Sequence, residues 1–194
     1  MAILSSSKPF LLALGLTAAA SASLAENIQV KTGLWAGTSV TTVNGKTLQM
    51  PNMGNGPAAQ EWQRMQQAAK QFGLPEGGTP SLSCERKGSY DGREMLAKEK
   101  TGSDCKFDLL EQRRDGARFS LQCKMPQGGT STGKGEVTIL NGTEARITAT
   151  SRAEVQGQVL NLEWKSVSKW IGADCAHPPA GIDPSWVEND DAGQ

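Results

Sequence analysis

Gly135-Glu-Val-Thr-Ile-Leu-Asn-Gly-Thr-Glu-Ala-Arg-Ile-Thr-Ala-Thr150 is the stretch that decides the fold class. Two runs rich in β-branched residues flank Asn141-Gly142, a dipeptide suited to a tight hairpin because both residues tolerate positive φ. In the second run Ala145, Ile147 and Ala149 alternate with Glu144, Arg146 and Thr148. That period of two puts one face of a strand in a core and the other in water. Working outward, residues 155–168 continue the pattern with Leu160, Leu162 and Trp164 on one side. Upstream, Cys105-Lys-Phe-Asp-Leu and Ala117-Arg-Phe-Ser-Leu-Gln-Cys123 alternate about Arg114-Asp115-Gly116, a second hairpin signal. Near the start, the Thr/Val-rich run 32–43 ends at Asn44-Gly45, with 46–50 as its return strand. The turn spacing predicts about seven strands. The expected fold is therefore mainly β, a curled antiparallel meander or partly closed barrel.

One segment breaks the period of two. Residues 57–72 have helix-forming composition, with Pro57 at the start and Gly73 just past the end, so a helical insert is expected at about 57–73. Trp62, Met65, Ala69 and Phe72 recur at three- and four-residue steps and make one narrow apolar stripe. Such a stripe covers the open face of the sheet; the competing reading makes it a lid or partner face. A short helical turn is also expected near 93–98. From His177 onward, Pro-Pro, Gly, Asp-Pro and Glu-Asn-Asp-Asp predict a flexible acidic tail over 176–194, which carries Trp186.

The chain of 194 residues is 37% hydrophobic and 21% charged, with 20 basic against 20 acidic side chains. This balance argues against nucleic acid, which selects a strongly basic face, and against a polybasic membrane surface. Residues 1–25 read as a secretory signal peptide: Lys8 is followed by an apolar run, and Ser23-Leu24-Ala25 precedes a cut ahead of Glu26. The apolar run is about a dozen residues, short of the roughly 20 that span a bilayer. The expectation is a soluble periplasmic protein with a disulfide-stapled domain over 26–175.

Export gives meaning to Cys84, Cys105, Cys123 and Cys175, the four cysteines. In an oxidising compartment they form a disulfide framework, for which three pairings are available. Folding the hairpin at 114–116 brings Cys105 opposite Cys123 to within about one residue of register. That leaves Cys84 with Cys175, each bridge contributing about 3–5 kcal/mol by the chain-entropy estimate.

The chemistry-bearing motifs are weak. Gly128-Gly-Thr-Ser-Thr-Gly133-Lys134-Gly135 resembles a phosphate loop, but Gly135 replaces the magnesium-binding hydroxyl and a strand-like run follows instead of a helix. It reads as a turn entering a strand. Asn141-Gly-Thr143 fits a glycosylation sequon and reads more simply as a hairpin turn. His177 is the only histidine; with Asp174 and Cys175 it could be imagined as a metal site, yet the cysteine is taken by a disulfide. No Gly-x-Ser-x-Gly elbow is present, and no pair among the acids stands out for hydrolysis. Met50, Met53 and Met65 form the constellation kept as a rival, because thioethers favour Cu(I).

In their order and spacing, Lys31-Thr-Gly-Leu-Trp35, the Met/Pro stretch around Met50, Cys84, Cys105-Lys106, Leu121-Gln-Cys123, Gly133-Lys-Gly-Glu-Val137 and Trp170-Ile-Gly-Ala-Asp-Cys175 resemble the proteobacterial domain-of-unknown-function family 3617. The resemblance spans about residues 28–175, and the helical stretch from Trp62 to Phe72 is longer than the family pattern. It implies a small, exported, β-rich envelope protein, with no catalytic residues to carry over. The expected function is that of a non-catalytic, cofactor-free β domain binding an apolar small molecule, a lipid or an envelope protein. The alternatives are copper binding through the methionines and hydrolysis by an acid pair.

Overall fold

The computed structural model describes residues 26–48, 56–94, 104–124 and 129–189. Its strands are β1 (Ile28–Gln29), β2 (Gly33–Val43), β3 (Lys46–Thr47), β4 (Thr79–Glu85), β5 (Ser89–Tyr90), β6 (Asp104–Arg113), β7 (Gly116–Lys124), β8 (Thr130–Leu140), β9 (Glu144–Val155), β10 (Gln158–Gly172) and β11 (Glu188–Asn189). Helix α1 (Pro57–Gln71) lies between β3 and β4, and a single 3-10 turn spans Pro184–Trp186. Nine strands form one open sheet in the order β11-β4-β2-β10-β9-β8-β7-β6, with β3 paired to β2. β1 and β5 make a separate two-stranded ribbon.

Strands β6 to β10 are a meander, as the alternating pattern requires. The sheet then departs from it: β2 lies against β10, so the first long strand closes on the last. Two further features differ from an all-antiparallel sheet of about seven strands. β11 adds a short parallel pair at the β4 edge, and the two-residue strands carry no periodic signal. Asn44-Gly45 and Asn141-Gly142 both take positive φ, as does Gln156-Gly157 between β9 and β10. The short helical turn expected at 93–98 falls mostly outside the described residues.

Two cores sit on opposite faces of this one sheet. Ala36, Leu82 and Val167 pack under α1 with Ala68, Ala69 and Leu74. Ala117, Phe119, Val137 and Ile139 pack on the other face with Ala145, Ile147 and Ala149. The register proves the opposition. Ser168 is paired with Ala145, so the neighbouring Val167 projects the other way. β2 lies where the two coverings overlap, and Gly33 to Thr38 are buried at six consecutive positions. Ile28, fully buried, brings the β1–β5 ribbon onto the second core.

Helix α1 begins at Pro57, whose missing N–H costs nothing there. It stops in a Schellman motif. Gly73, at φ +65°, donates its N–H to the Lys70 carbonyl, and Leu74 donates to the Ala69 carbonyl. Leu74 and Ala69 then share the core under the helix. From the sheet, Lys169 Nζ donates to the Gly73 carbonyl at 2.9 Å and complements the helix C-terminus.

Of the flexible tail expected over 176–194, the described part up to residue 189 corrects the expectation where Ile182 and Trp186 lie. Ile182 and Trp186 are buried in the core under α1. Trp186 Nε1 donates to Glu61 Oε1 at 2.8 Å, and the Arg64 guanidinium lies 5.9 Å from its ring centroid. Composition signals disorder when a segment has too little apolar surface to offset its ordering entropy. Here two apolar anchors and a tailored polar partner suffice.

Candidate ligand-binding face

Several contacts converge at the seam where β2 meets β10 and β4. Trp35 lies opposite Trp170 across one strand pair and opposite Ser83 across the other. Both indoles are tied to the chain before β2: Trp35 Nε1 donates to the Lys31 carbonyl at 2.8 Å, and Trp170 Nε1 to that of Thr32 at 2.9 Å. The Lys31 ammonium lies 3.3 Å from the Trp170 ring centroid, a cation–π contact. Gly33 has φ +120°, and a Cβ there would lie 2.2 Å from the Gly172 carbonyl oxygen, so only glycine fits. Fully buried Leu34 lies opposite Cys84, which is bonded to Cys175 (S–S 1.99 Å). Lys31-Thr-Gly-Leu-Trp35 and Trp170-Ile-Gly-Ala-Asp-Cys175 are thus two halves of one structural clasp.

The second bridge, Cys105–Cys123 (S–S 2.05 Å), joins residues directly opposite each other on β6 and β7. The register slips at Leu110, which bulges out and is 56% exposed. The slip lies on the turn side of the cysteines and absorbs the one-residue uncertainty of the hairpin.

The face carrying the second core is the candidate binding surface. One row across β2, β10, β9, β8, β7 and β6 reads Thr41, Trp164, Ala149, Gly135, Phe119, Leu109; the next reads Val43, Leu162, Ser151, Gly133, Leu121, Phe107. Large apolar side chains stand at both sides and small ones between. A Cβ at Gly135 would lie 2.3 Å from the Phe119 ring, which places that ring over the small floor. Phe107 meets Phe119 edge to face, with centroids 6.0 Å apart. Phe107, Leu109, Leu121, Ile147, Leu162 and Trp164 remain partly exposed. On β6 to β9 the opposite face is polar: Lys106, Asp108, Arg118, Thr132, Lys134, Arg146, Thr148 and Arg152 are exposed. Its acids stand beside bases, as in Glu144 with Arg146 at 2.7 Å and Glu163 with Lys165 at 2.7 Å.

The helical stripe is only partly assembled as the spacing suggests. Met65, Ala69 and Phe72 pack over Ala36 and Leu82, but Trp62 is half-buried and takes no part in that cluster. The position facing the docked segment is its neighbour Glu61, whose carboxylate holds Trp186. A sequence pattern weighted by hydrophobicity cannot find such a contact. Of the methionines considered for copper, Met65 packs against a core, while Met50 and Met53 lie outside the described residues. Among the described residues no group of three or more His, Cys, Asp or Glu side chains is placed to hold a metal.

His177 is exposed, its Nδ1 2.9 Å from Asp174 Oδ2. Asp174 also accepts the backbone N–H of Ala176 at 2.8 Å and of His177 at 3.2 Å. The His177 contact foremost, then these N–H groups, hold its carboxyl below the ordinary aspartate value. The pair closes a turn that contains Cys175. The phosphate-loop look-alike is strand from Thr130, with Gly133 and Gly135 inside β8. Among the described residues no helix is long and apolar enough to cross a membrane.

No curated protein and no solved structure matches the chain. The family described as "Protein of unknown function (DUF3617)" matches residues 30–175, a range that opens just before the Lys31–Trp35 half of the clasp and closes on Cys175. With that match running through both halves of the clasp and every long strand between them, the chain belongs to the DUF3617 family.

Proposed function

We propose that this is an exported, non-catalytic periplasmic domain whose partly exposed apolar face binds an apolar molecule, a lipid chain being the form that best suits it. One observation carries the reading. Phe107, Leu109, Leu121, Leu162 and Trp164 line two adjacent rows, and behind those rows on β6 to β9 the sheet carries charged and polar side chains. Contiguous apolar surface of that kind is costly in water and marks binding sites. Phe119 is seated on Gly135, and beside its ring Ala149, Ser151 and Gly133 leave a shallow floor along which a chain can lie. Two disulfides support residence in an oxidising compartment, as does the leader-like segment 1–25.

The test is displacement of a fluorescent fatty-acid probe from the oxidised protein, with mass spectrometry of protein purified from periplasm alongside. Leu121→Glu and Leu162→Glu each place a charge on this face and should abolish probe binding. Leu162→Glu, at a position outside both core clusters, should do so with the fold intact, while Leu121→Glu should also lower stability because Leu121 packs against the second core. Probe binding that survives both changes would sink the reading.

A further inference from the structure

The segment beyond Cys175 meets the rest of the molecule as a bound peptide meets its receptor. The family match ends at Cys175, so this segment lies outside it. From Ala176 to Val187 its side chains are exposed or half-buried save two, Ile182 and Trp186. Gly181, at φ +93°, passes beside Gln71 of α1. Ile182 then stands among Met65, Ala68, Phe72 and Leu82, between α1 and β4. One turn on, Trp186 is buried, its indole N–H accepted by the Glu61 carboxylate and its ring faced by the Arg64 guanidinium. Glu188 and Asn189 add a short parallel strand to β4 at Ser83 and Cys84. Two buried anchors with exposed residues between them, completed by strand addition at a sheet edge, is how extended peptides are recognised.

We infer that the groove between α1 and β4 is a peptide-docking site, which the chain's own tail occupies in place of an extended segment of a partner protein. That segment carries a branched aliphatic residue and, four positions later, a tryptophan. The spacing is that of Ile182 and Trp186. Glu61 selects tryptophan, because indole joins a large apolar body to an N–H donor. Arg64 adds the cation that the face of the ring attracts. Ala68 and Ala69, small and buried, leave room under the helix for the aliphatic anchor. The tail excludes such a partner by its tether. It is rooted at Cys175, which is bonded to Cys84 beside the groove, so its effective concentration there is on the order of millimolar. Changes confined to the tail therefore open the site. This inference is independent of the apolar face on the other side of the sheet.

The experiment uses the oxidised protein with both anchors removed, Ile182→Ala together with Trp186→Ala, which leaves every groove residue in place. A fluorescent peptide of residues 179–191 should bind this variant with a Kd on the order of 100 µM, read by anisotropy, and should raise its melting temperature. The parent protein, its groove filled, should bind the peptide at least about tenfold more weakly. The same peptide with Trp186→Ala should not bind at these concentrations. Adding Glu61→Leu to the variant should weaken the unaltered peptide about tenfold, the value of a hydrogen bond to a charged group. Hydrogen exchange of the parent gives a second reading: the Trp186 indole N–H should be at least about a hundredfold less protected than the amides of β2 and β10, because the tail opens as a unit. A variant that cannot fold with peptide present, or an indole as protected as the β2 amides, would overturn the inference by making the tail part of the core. A folded variant that ignores the peptide, or that binds its Trp186→Ala form equally well, would overturn it too.

Discussion

Trp62 and Trp186 show how little a residue's identity says about its task. Trp186, 9% exposed, fills the core under α1 and has its indole N–H satisfied by Glu61. Trp186→Ala should cost about 3–5 kcal/mol, the usual range for deleting a buried aromatic. Trp62→Ala, removing a half-buried side chain outside that cluster, should cost about 1 kcal/mol or less. Urea melts of the two variants check the order, and an equal loss would mean that the docked segment adds nothing to the core. Asp174 offers a test in acid. Its folded pKa lies below its unfolded one, so its contribution is complete above the unfolded value and is lost as pH falls through the folded value. The group is exposed, and the effect is small. Asp174→Asn should lie slightly below the parent near neutral pH and converge with it in acid, measured by urea melts over a pH series.

At the scale of elements, the legible parts are those whose signal is local. The meander β6–β10 was readable because each strand alternates and each turn announces itself, down to the positive φ of Asn141 and Gly142. The turn at Gln156-Gly157 was not, because glutamine carries no preference for the conformation it adopts there. Helix α1 was legible at both ends, from Pro57 to Gly73. Which of its faces is buried was legible only in part, because the partner that selects Glu61 and Arg64 lies more than a hundred residues away in sequence. β2 defeats alternation altogether: with both faces covered it reads as a continuous buried run. The apolar face was half visible, as the inward side of β9 and β10; its row of small residues depends on the register between β8 and β9. Lys169 is a contact of the same nonlocal kind. Lys169→Ala removes the cation from the end of α1 and should cost about 1 kcal/mol, read as a lower melting temperature. Lys169→Arg should recover part of it.

For the whole molecule, stability rests on two staples of unequal reach. Cys84–Cys175 spans 91 residues of sequence and Cys105–Cys123 spans 18. The chain-entropy estimate gives about 5 kcal/mol for the first and about 3 kcal/mol for the second. Replacing Cys84 and Cys175 together by Ala should therefore destabilise the fold by about 1–2 kcal/mol more than replacing Cys105 and Cys123, as measured by urea melts of both double variants. A reversed order would show that the short cross-strand bridge holds more than its own hairpin. The clasp between β2 and β10 also has a consequence in time. A chain emerges from a ribosome or a pore amino end first, so β2 arrives early and finds no neighbour on its β10 side. The hairpins from β6 to β9 can form as they appear, but β2 has to wait, apolar and unpaired along that edge, until Trp170 and Gly172 have followed. Birth order and assembly order run in opposite directions at this seam, and the interval between them is when the chain is most exposed to aggregation or to a chaperone's grip.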